Sequence, residues 1–175
     1  MVTISKTDAD IFTALRTFIL ACIPSGLEVV RGQGNGVPMP AGNFCAMTPK
    51  ANGRIELNVD GYTDPVSAIG TVNTMTPSEF IAQLDFYGTN SAQNAKIVES
   101  LSRSQFALTS FSDAAIKPLY ASEPQQMPLI NGEQQYEQRW KMDFHIQYNP
   151  VIQTPQEFAG ALAINVISVE ATYPI

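Results

Sequence analysis

The stretch YEQRWKMDFHIQY, residues 136–148, decides the fold. Its apolar and polar side chains alternate with a period of two, which is the pattern of a β-strand that lays one face on a core. Gln138 is the single exception to the alternation. The apolar face carries Tyr136, Trp140, Met142, Phe144, Ile146 and Tyr148. The opposite face carries Glu137, Arg139, Lys141, Asp143, His145 and Gln147.

The length of this strand is unusual for a chain of 175 residues. At about 3.3 Å per residue the stretch would span roughly 43 Å. A compact domain of this size is only about 40 Å across. We therefore expect a strand that crosses the whole domain or projects from it. Its apolar face should be core, so Trp140→Ala should cost about 3–5 kcal/mol.

Two amphipathic helices are predicted before the long strand. Thr7 is a candidate N-cap for the first, with acidic residues in its first turn and an end at the Pro24 break. Ser91 is a candidate cap for the second, which ends near Ser104. Both helices carry an apolar stripe at helical spacing. In the first helix the stripe is Ile11, Leu15, Phe18 and Cys22, with Phe12 and Ile19 beside it.

The remaining segments are shorter and mostly extended. Strands are predicted at 27–30, 43–48, 55–62, 66–75, 80–87, 116–120, 126–130 and 164–173. The type of 106–111 stays open, and 153–162 fits either a short helix or extended chain. The order predicts an α+β fold, with a mostly antiparallel sheet and two main helices packed on one face. We expect one domain over residues 1–175, with an extended loop at 31–42 and the long strand at 136–148.

Composition limits the classes of partner. Charged residues make up 15% of the chain, against about 25% in a typical domain, as expected if neighbouring subunits cover much of the surface. The net charge of −6 and pI near 4.6 argue against binding nucleic acid or anionic membranes. No apolar run is long enough to span a membrane. Cys22 and Cys45 each lie in an apolar run and are expected to be reduced.

No group of residues predicts catalysis or a cofactor. The only histidine, His145, lies on the polar strand face among charged neighbours, and two separated cysteines cannot complete a zinc site. The glycine-rich stretch 32–36 lacks the helix that a phosphate loop needs, because prolines follow it. We therefore predict no catalytic, metal or cofactor residues. A small enzyme or ligand-binding domain would require a pocket formed by residues such as Arg139, Asp143 and His145.

Several stretches resemble the phage neck terminator family, the tail terminator or tail completion proteins of tailed bacteriophages. They are QLDFYGTNSAQNAKIVESL at 83–101 and PLYASEPQQMPLINGEQQYEQRWKMDFHIQYNPV at 118–151. The VVRGQGNGVPMP loop, the FCAMTP strand and the closing VISVEATYP are also similar to that family. The resemblance runs from about residue 8 to residue 174, and the INGEQQYEQRW run joined to the alternating strand is its most distinctive part.

The resemblance implies a structural virion protein without catalytic residues. Members typically form a hexameric ring that caps the tail tube, and the sheath where there is one, and that offers a docking surface to the head-side connector or stopper. DNA would pass through the channel without specific binding, and assembly would take place in the host cytoplasm. The alternative is another neck, head-completion or baseplate component.

The long strand and the Gly/Pro loop are the candidate inter-subunit elements, because a strand edge that overruns its domain invites pairing with a neighbour. If the polar strand face meets a neighbour, Arg139→Ala should mainly affect assembly. The predicted subunit-interface residues are Arg31, Asn35, Glu137, Arg139, Lys141 and His145.

Overall fold

The computed structural model describes residues 1–23, 26–34, 38–65, 69–113, 115–130 and 135–158. Three helices lie in this part of the chain: α1 (Asp8–Cys22), α2 (Ser91–Ser102) and α3 (Gln105–Ser110). The first six strands are β1 (Thr3–Ile4), β2 (Glu28–Arg31), β3 (Phe44–Arg54), β4 (Val59–Thr63), β5 (Gly70–Met75) and β6 (Ser78–Tyr87). The others are β7 (Ile116–Ala121), β8 (Gln125–Gln126), β9 (Leu129–Ile130), β10 (Tyr136–Glu137), β11 (Arg139–Tyr148) and β12 (Val151–Gln156).

The main sheet has the strand order β2-β3-β6-β11-β7, and β8 also pairs with β11. All of its pairings are antiparallel except that of β2 with β3. Strand β11 pairs with β6 along its whole length, with Trp140 opposite Phe86 and Ile146 opposite Phe80. This confirms the α+β class and the mostly antiparallel sheet.

The helices cover one face of the main sheet. The alternating residues Met142, Phe144 and Ile146 are buried on that side, and the Phe144 ring lies 5.6 Å from that of Phe18 on α1. From β6 the buried set is Phe80, Ala82, Leu84 and Phe86, as the alternation predicted. The opposite face of the sheet carries the polar residues of β6 and β11, and no described helix lies on it.

The start of α1 follows from its capping chemistry. Thr7 is the N-cap, and the Asp10 carboxylate accepts hydrogen bonds from the Thr7 backbone N–H and hydroxyl, both at 2.8 Å. Both bonds tie the Asp10 side chain back to the N-cap residue and so close the first turn of the helix.

The predicted cap of the second helix was wrong by one residue: Asn90 is the N-cap, and Ser91 is buried inside the first turn. The segment left open at 106–111 is helical, so α3 packs as a third helix beside α1 and α2.

The predicted strand at 136–148 is divided at its exception to the alternation. Gln138 would place an amide on the core face, and the regular strand starts only at Arg139. Residues before it pair with β9 as a separate two-stranded ribbon, where Tyr136 is 79% exposed rather than core. Strand β11 is also not an edge, because β6 flanks it on one side and β7 and β8 on the other. The expected free edge on this strand was therefore wrong.

A second sheet extends the first one and was not predicted. Its order is β1-β12-β5-β4, all antiparallel. Three strands of the main sheet continue into it through short bends: β11 through Asn149–Pro150 into β12, β6 back through Pro77 to β5, and β3 through residues 55–58 to β4. Proline cannot donate to a sheet ladder, which explains why two of these bends contain one. We call residues 1–5, 55–65, 69–76 and 151–158 the arm.

Several predicted boundaries moved. Strand β3 runs on to Arg54, and β4 starts later than expected, at Val59. Strand β5 covers Gly70–Met75 of the strand predicted at 66–75, of which residues 66–68 lie outside the described part of the chain. The open segment 153–162 is a strand as far as Gln156. The predicted final strand at 164–173, and residues 35–37 of the loop, lie outside the described residues.

Candidate functional site

A groove runs along the polar face of the main sheet, at the end where β11 begins and β6 finishes. Residues 38–40 form its outer wall, and its volume beside Arg31 and Arg139 is about 420 Å³. A second hollow of about 480 Å³ continues it past Tyr87 toward Tyr136. The two share Met39, Pro40, Phe44 and Tyr87 in their walls. We call the first of them the loop groove. Its volume lies within the usual range of ligand and peptide pockets.

The floor of the loop groove is an ion pair between β6 and β11. Arg139 Nη2 lies 2.8 Å from Asp85 Oδ1, and its Nε–H donates to the same oxygen at 2.9 Å. Gln83 donates to the other carboxylate oxygen at 2.7 Å. The Asp85 side chain is 5% exposed and that of Arg139 is 24% exposed. A carboxylate this deeply buried is stable only with such partners, so the pair fixes the floor of the groove.

Aromatic rings form the apolar wall of the loop groove. Phe44 and Tyr87 stack with ring centroids 4.4 Å apart and nearly parallel planes. The Arg139 guanidinium lies 5.7 Å from the centre of the Tyr87 ring, close enough for a cation–π contact. Burial raises the pKa of the Tyr87 phenol above its ordinary value. The phenol is therefore neutral at pH 7 and serves as an apolar surface with a polar tip.

Two further contacts join polar side chains along the rest of this face. Lys50 pairs with Asp143 at 2.5 Å, and His145 Nδ1 lies 2.6 Å from the Glu79 carboxylate. The His145 ring also stacks on Tyr120 at 4.2 Å. Each carboxylate of this face thus has a partner inside the sheet. Lys141 makes no ion pair with any other described residue.

The structure brings three of the six predicted interface residues to one place. Arg31 and Arg139 line the loop groove, and Glu137 lines the adjoining hollow. Lys141 and His145 lie further along the same sheet face, on β11. Asn35 lies outside the described residues. Arg139 and His145 each contact a carboxylate within the subunit, Asp85 for Arg139 and Glu79 for His145.

Arg139, Asp143 and His145 do not form the shared pocket that an enzyme or ligand-binding domain would require. The three residues each contact a different partner side chain, and only Arg139 lines either hollow. Within the described ranges, no group of three or more His, Cys, Asp or Glu side chains could hold a metal ion. None of the helices described here is both long and apolar enough to cross a membrane.

The arm has an apolar face that the sequence did not predict. Register puts Ile4, Ile152, Thr74 and Asp60 in one row across its four strands. The next row on the same face includes Val72 and Tyr62, and the Phe158 ring meets Tyr62 edge-on at 6.4 Å. Tyr62 is 68% exposed and Ile4 is 55% exposed. We call Ile4, Ile152, Val72, Tyr62 and Phe158 the arm patch. The alternation in these short strands is broken by Gly61 and Pro155, so the signal for this face was weak.

The opposite face of the arm carries a ladder of polar side chains beside an apolar row of Val59, Met75 and Val151. Thr3 donates to Gln153 at 3.3 Å, Gln153 donates to Asn73 at 2.9 Å, and Asn73 donates to Thr63 at 3.0 Å. This ladder of side-chain amides and hydroxyls crosses all four strands. The exposed aromatic rings of Tyr62 and Phe158 therefore lie on one face of the arm, and this polar ladder lies on the other.

Comparison with solved structures identifies the architecture. The chain resembles the sheath/tube terminator of an extracellular contractile injection system, PVC, solved by cryo-EM in the extended state. The TM-score is 0.59 at 9% identity, covering 98% of this chain and 66% of the other. The chain thus spans about two thirds of the length of that terminator, and at this identity the likeness shows the fold alone. No curated protein sequence matches the chain.

The fold is thus that of an α+β tail-terminator-like protein. A family model described as "Phage neck terminator protein" matches residues 9–172, which is nearly the whole chain. The chain belongs to the phage neck terminator family. Membership assigns it a structural, tail-terminating role and confirms the resemblance seen in the sequence.

Proposed function

We propose that the chain forms a closed homo-oligomeric ring, a hexamer, on the finished phage tail. The ring caps the tail tube, and the sheath where the tail has one, and presents its other side to the head-side connector or stopper. The observation that carries this proposal is the family match across residues 9–172. The fold shared with a sheath/tube terminator is consistent with it.

The low charge of the subunit surface and its exposed apolar patch favour assembly with other subunits. Charged side chains are few, at 15% of the chain, and the carboxylates of β6 and β11 on the polar sheet face have partners within the subunit. Such a surface loses little charge hydration when a neighbour covers it. The exposed arm patch needs a cover that the described part of one subunit does not supply.

DNA passes through the ring without specific binding in this proposal. A net charge of −6 per subunit disfavours adhesion to a polyanion, since phosphate neutralisation drives non-specific binding. The protein is then a component of the virion neck, assembled in the host cytoplasm before heads and tails join.

Deletion of the gene in the parent phage tests the proposal. We expect full heads and separate tails whose head-proximal ends lack a ring and whose tubes vary in length, as seen by electron microscopy. Supplying the chain in trans should restore uniform, joined particles. Normal particles from the deletion strain, or absence of the chain from purified virions, would rule the proposal out.

A further inference from the structure

The arm and the loop groove lie at opposite ends of the main sheet. The groove adjoins the start of β11 and the end of β6, at Arg139 and Tyr87. The arm continues from the end of β11 and the start of β6, at Tyr148 and Ser78. Ten paired residues of each strand separate them, or roughly 33 Å. An arm therefore cannot reach the groove of its own subunit without dismantling the sheet.

The arm is acidic and its patch is apolar. Its described residues include the carboxylates Glu56, Asp60, Asp64 and Glu157, and no lysine or arginine. Asp60 lies on the same face as Tyr62, two residues away on β4. A partner for this surface should offer apolar contact for aromatic rings and positive charge beside it.

The loop groove has that composition. Met39, Phe44 and Tyr87 give it apolar walls. Its one carboxylate among the described lining residues, Asp85, is already bound by Arg139. Arg31 in the same lining forms no ion pair with a described residue and contacts the Phe12 ring at 4.6 Å. The groove is thus net positive, and a space of about 420 Å³ can admit an aromatic side chain.

We propose that the arm patch of one subunit docks in the loop groove of a second copy of this chain. Donor and acceptor surfaces differ, so the contact is heterologous, and repeated contacts generate a ring when the rotation between copies closes. This inference rests on the proposed ring and names the contact that builds it. Tyr62 is its central anchor, because an exposed tyrosine in an apolar patch is typical of interface hot spots.

Engineered cross-linking in assembled tails tests the contact. The variant Tyr62→Cys/Met39→Cys carries one thiol on the arm patch and one on the groove wall, where Met39 is 56% exposed. A short bismaleimide should link its subunits into a ladder, a series of covalent multimers. The largest multimer should contain as many subunits as the ring. The matched control is Val59→Cys/Met39→Cys. Val59 is 54% exposed on the same strand but points to the opposite face of the arm, so the control should give no ladder.

Mixing the single variants separates head-to-tail docking from symmetric contact. Tails assembled from Tyr62→Cys and Met39→Cys subunits together should yield covalent dimers of unlike subunits, whereas either variant alone should stay monomeric after cross-linking. Dimers from Tyr62→Cys alone would show that arms meet arms and would overturn the proposal. Cross-links from Tyr62→Cys to a tube or connector protein, without subunit ladders, would overturn it as well.

Self-association gives a second readout. Tyr62→Ser should weaken subunit association at least about 30-fold, the loss expected for a hot-spot residue, while Val59→Ser should change it less than about threefold. Unchanged association of Tyr62→Ser would overturn the docking contact. If wild-type chain is present at the tail end but no ladder forms, docking fails and the proposed function stands. If the chain is absent from tails, the proposed function itself fails.

Discussion

The ring of Phe158 lies directly over Gly70, so a Cβ on Gly70 would overlap it and would also crowd the Thr63 carbonyl oxygen. This contact joins the end of β12 to β5 and brings Phe158 beside Tyr62. The absence of a side chain at Gly70 therefore lets the Phe158 ring take its place in the arm patch.

Gly70→Ala should loosen the arm without unfolding the main sheet. The added methyl group forces Phe158 and the strand edge apart, a crowding effect of about 1–3 kcal/mol. Amide hydrogen exchange in β5 and β12 should accelerate, while exchange in β6 and β11 stays slow. Gly53→Ala is the control, because a Cβ there meets nothing within 4 Å. Unchanged exchange in β5 would show that Phe158 does not pack on Gly70.

Arg139→Ala should destabilise the fold itself, contrary to the expectation that this residue acts mainly in assembly. Removing the guanidinium leaves the Asp85 carboxylate buried without its main partner. We expect the free energy of unfolding to fall by about 2–4 kcal/mol. This is less than the full cost of breaking a buried pair, because Arg139 is partly exposed. The measurement is urea unfolding of the purified chain. Lys141→Ala, on the same face of the same strand, should stay within about 0.5 kcal/mol of the wild type. Equal effects of the two substitutions would mean that the Asp85 pair contributes nothing.

Phe144→Ala should cost more stability than Trp140→Ala. Phe144 is fully buried between Phe18 and Phe111, so its loss should cost about 3–5 kcal/mol. Trp140 is only partly buried against the core, so the estimate of that size made for it from the sequence is too large. We expect roughly half the cost of Phe144→Ala, measured by the same unfolding curves. A larger loss for Trp140→Ala would show that the core reaches the start of β11.

Period-two alternation predicted the residues of β6 and β11 that face the helices, because side-chain direction in a strand depends only on local backbone geometry. It could not show where the strand leaves the core. Tyr136 continues the pattern, yet it lies on the exposed two-stranded ribbon. That outcome depends on which segments pair with it, and pairing between distant segments leaves no local signal.

The candidate site was predictable only in part for the same reason. The loop and the polar face of β11 were recognised from glycine, proline and charge. The partner of Arg139 is Asp85, 54 residues earlier in the chain, and only the register of β6 against β11 brings the two together. The arm patch likewise combines residues from all four strands of the second sheet and the segment after β12.

Acid should weaken the link between the N-terminus and the α3–β7 connection. A hydrogen bond from Lys6 lowers the pKa of the Asp113 carboxyl below 3.8, and the same bond raises the pKa of Lys6 above 10.5. A carboxyl whose pKa is lower in the folded state adds stability above its unfolded pKa and loses it as the pH falls through the folded value. The amine adds stability below its unfolded pKa and loses it as the pH rises through the raised one. The pair thus contributes between about pH 4 and pH 10.5.

Asp113→Asn isolates this effect. The melting temperature of the variant should fall below that of the wild type at pH 7. The difference should shrink as the pH falls through the lowered pKa of Asp113, because a protonated carboxyl carries no charge, like the amide that replaces it. Glu123→Gln serves as a control, because Glu123 is an exposed carboxyl without an ion pair to another described residue. A constant difference between Asp113→Asn and the wild type from pH 7 to pH 2 would contradict the assignment.

Both native thiols should react slowly in the folded protein. Burial raises the pKa of Cys22 to about 12 and that of Cys45 well above its ordinary value, so little thiolate, the reactive form, exists at pH 8. Cys45 is also fully buried, which denies a reagent access. A disulfide reagent should therefore give no fast phase with native protein and two equivalents in urea. The variant Met39→Cys should add one fast equivalent, because position 39 is exposed. A fast native equivalent in the wild type would place Cys22 at an accessible surface and would require its replacement before any cross-linking of the arm.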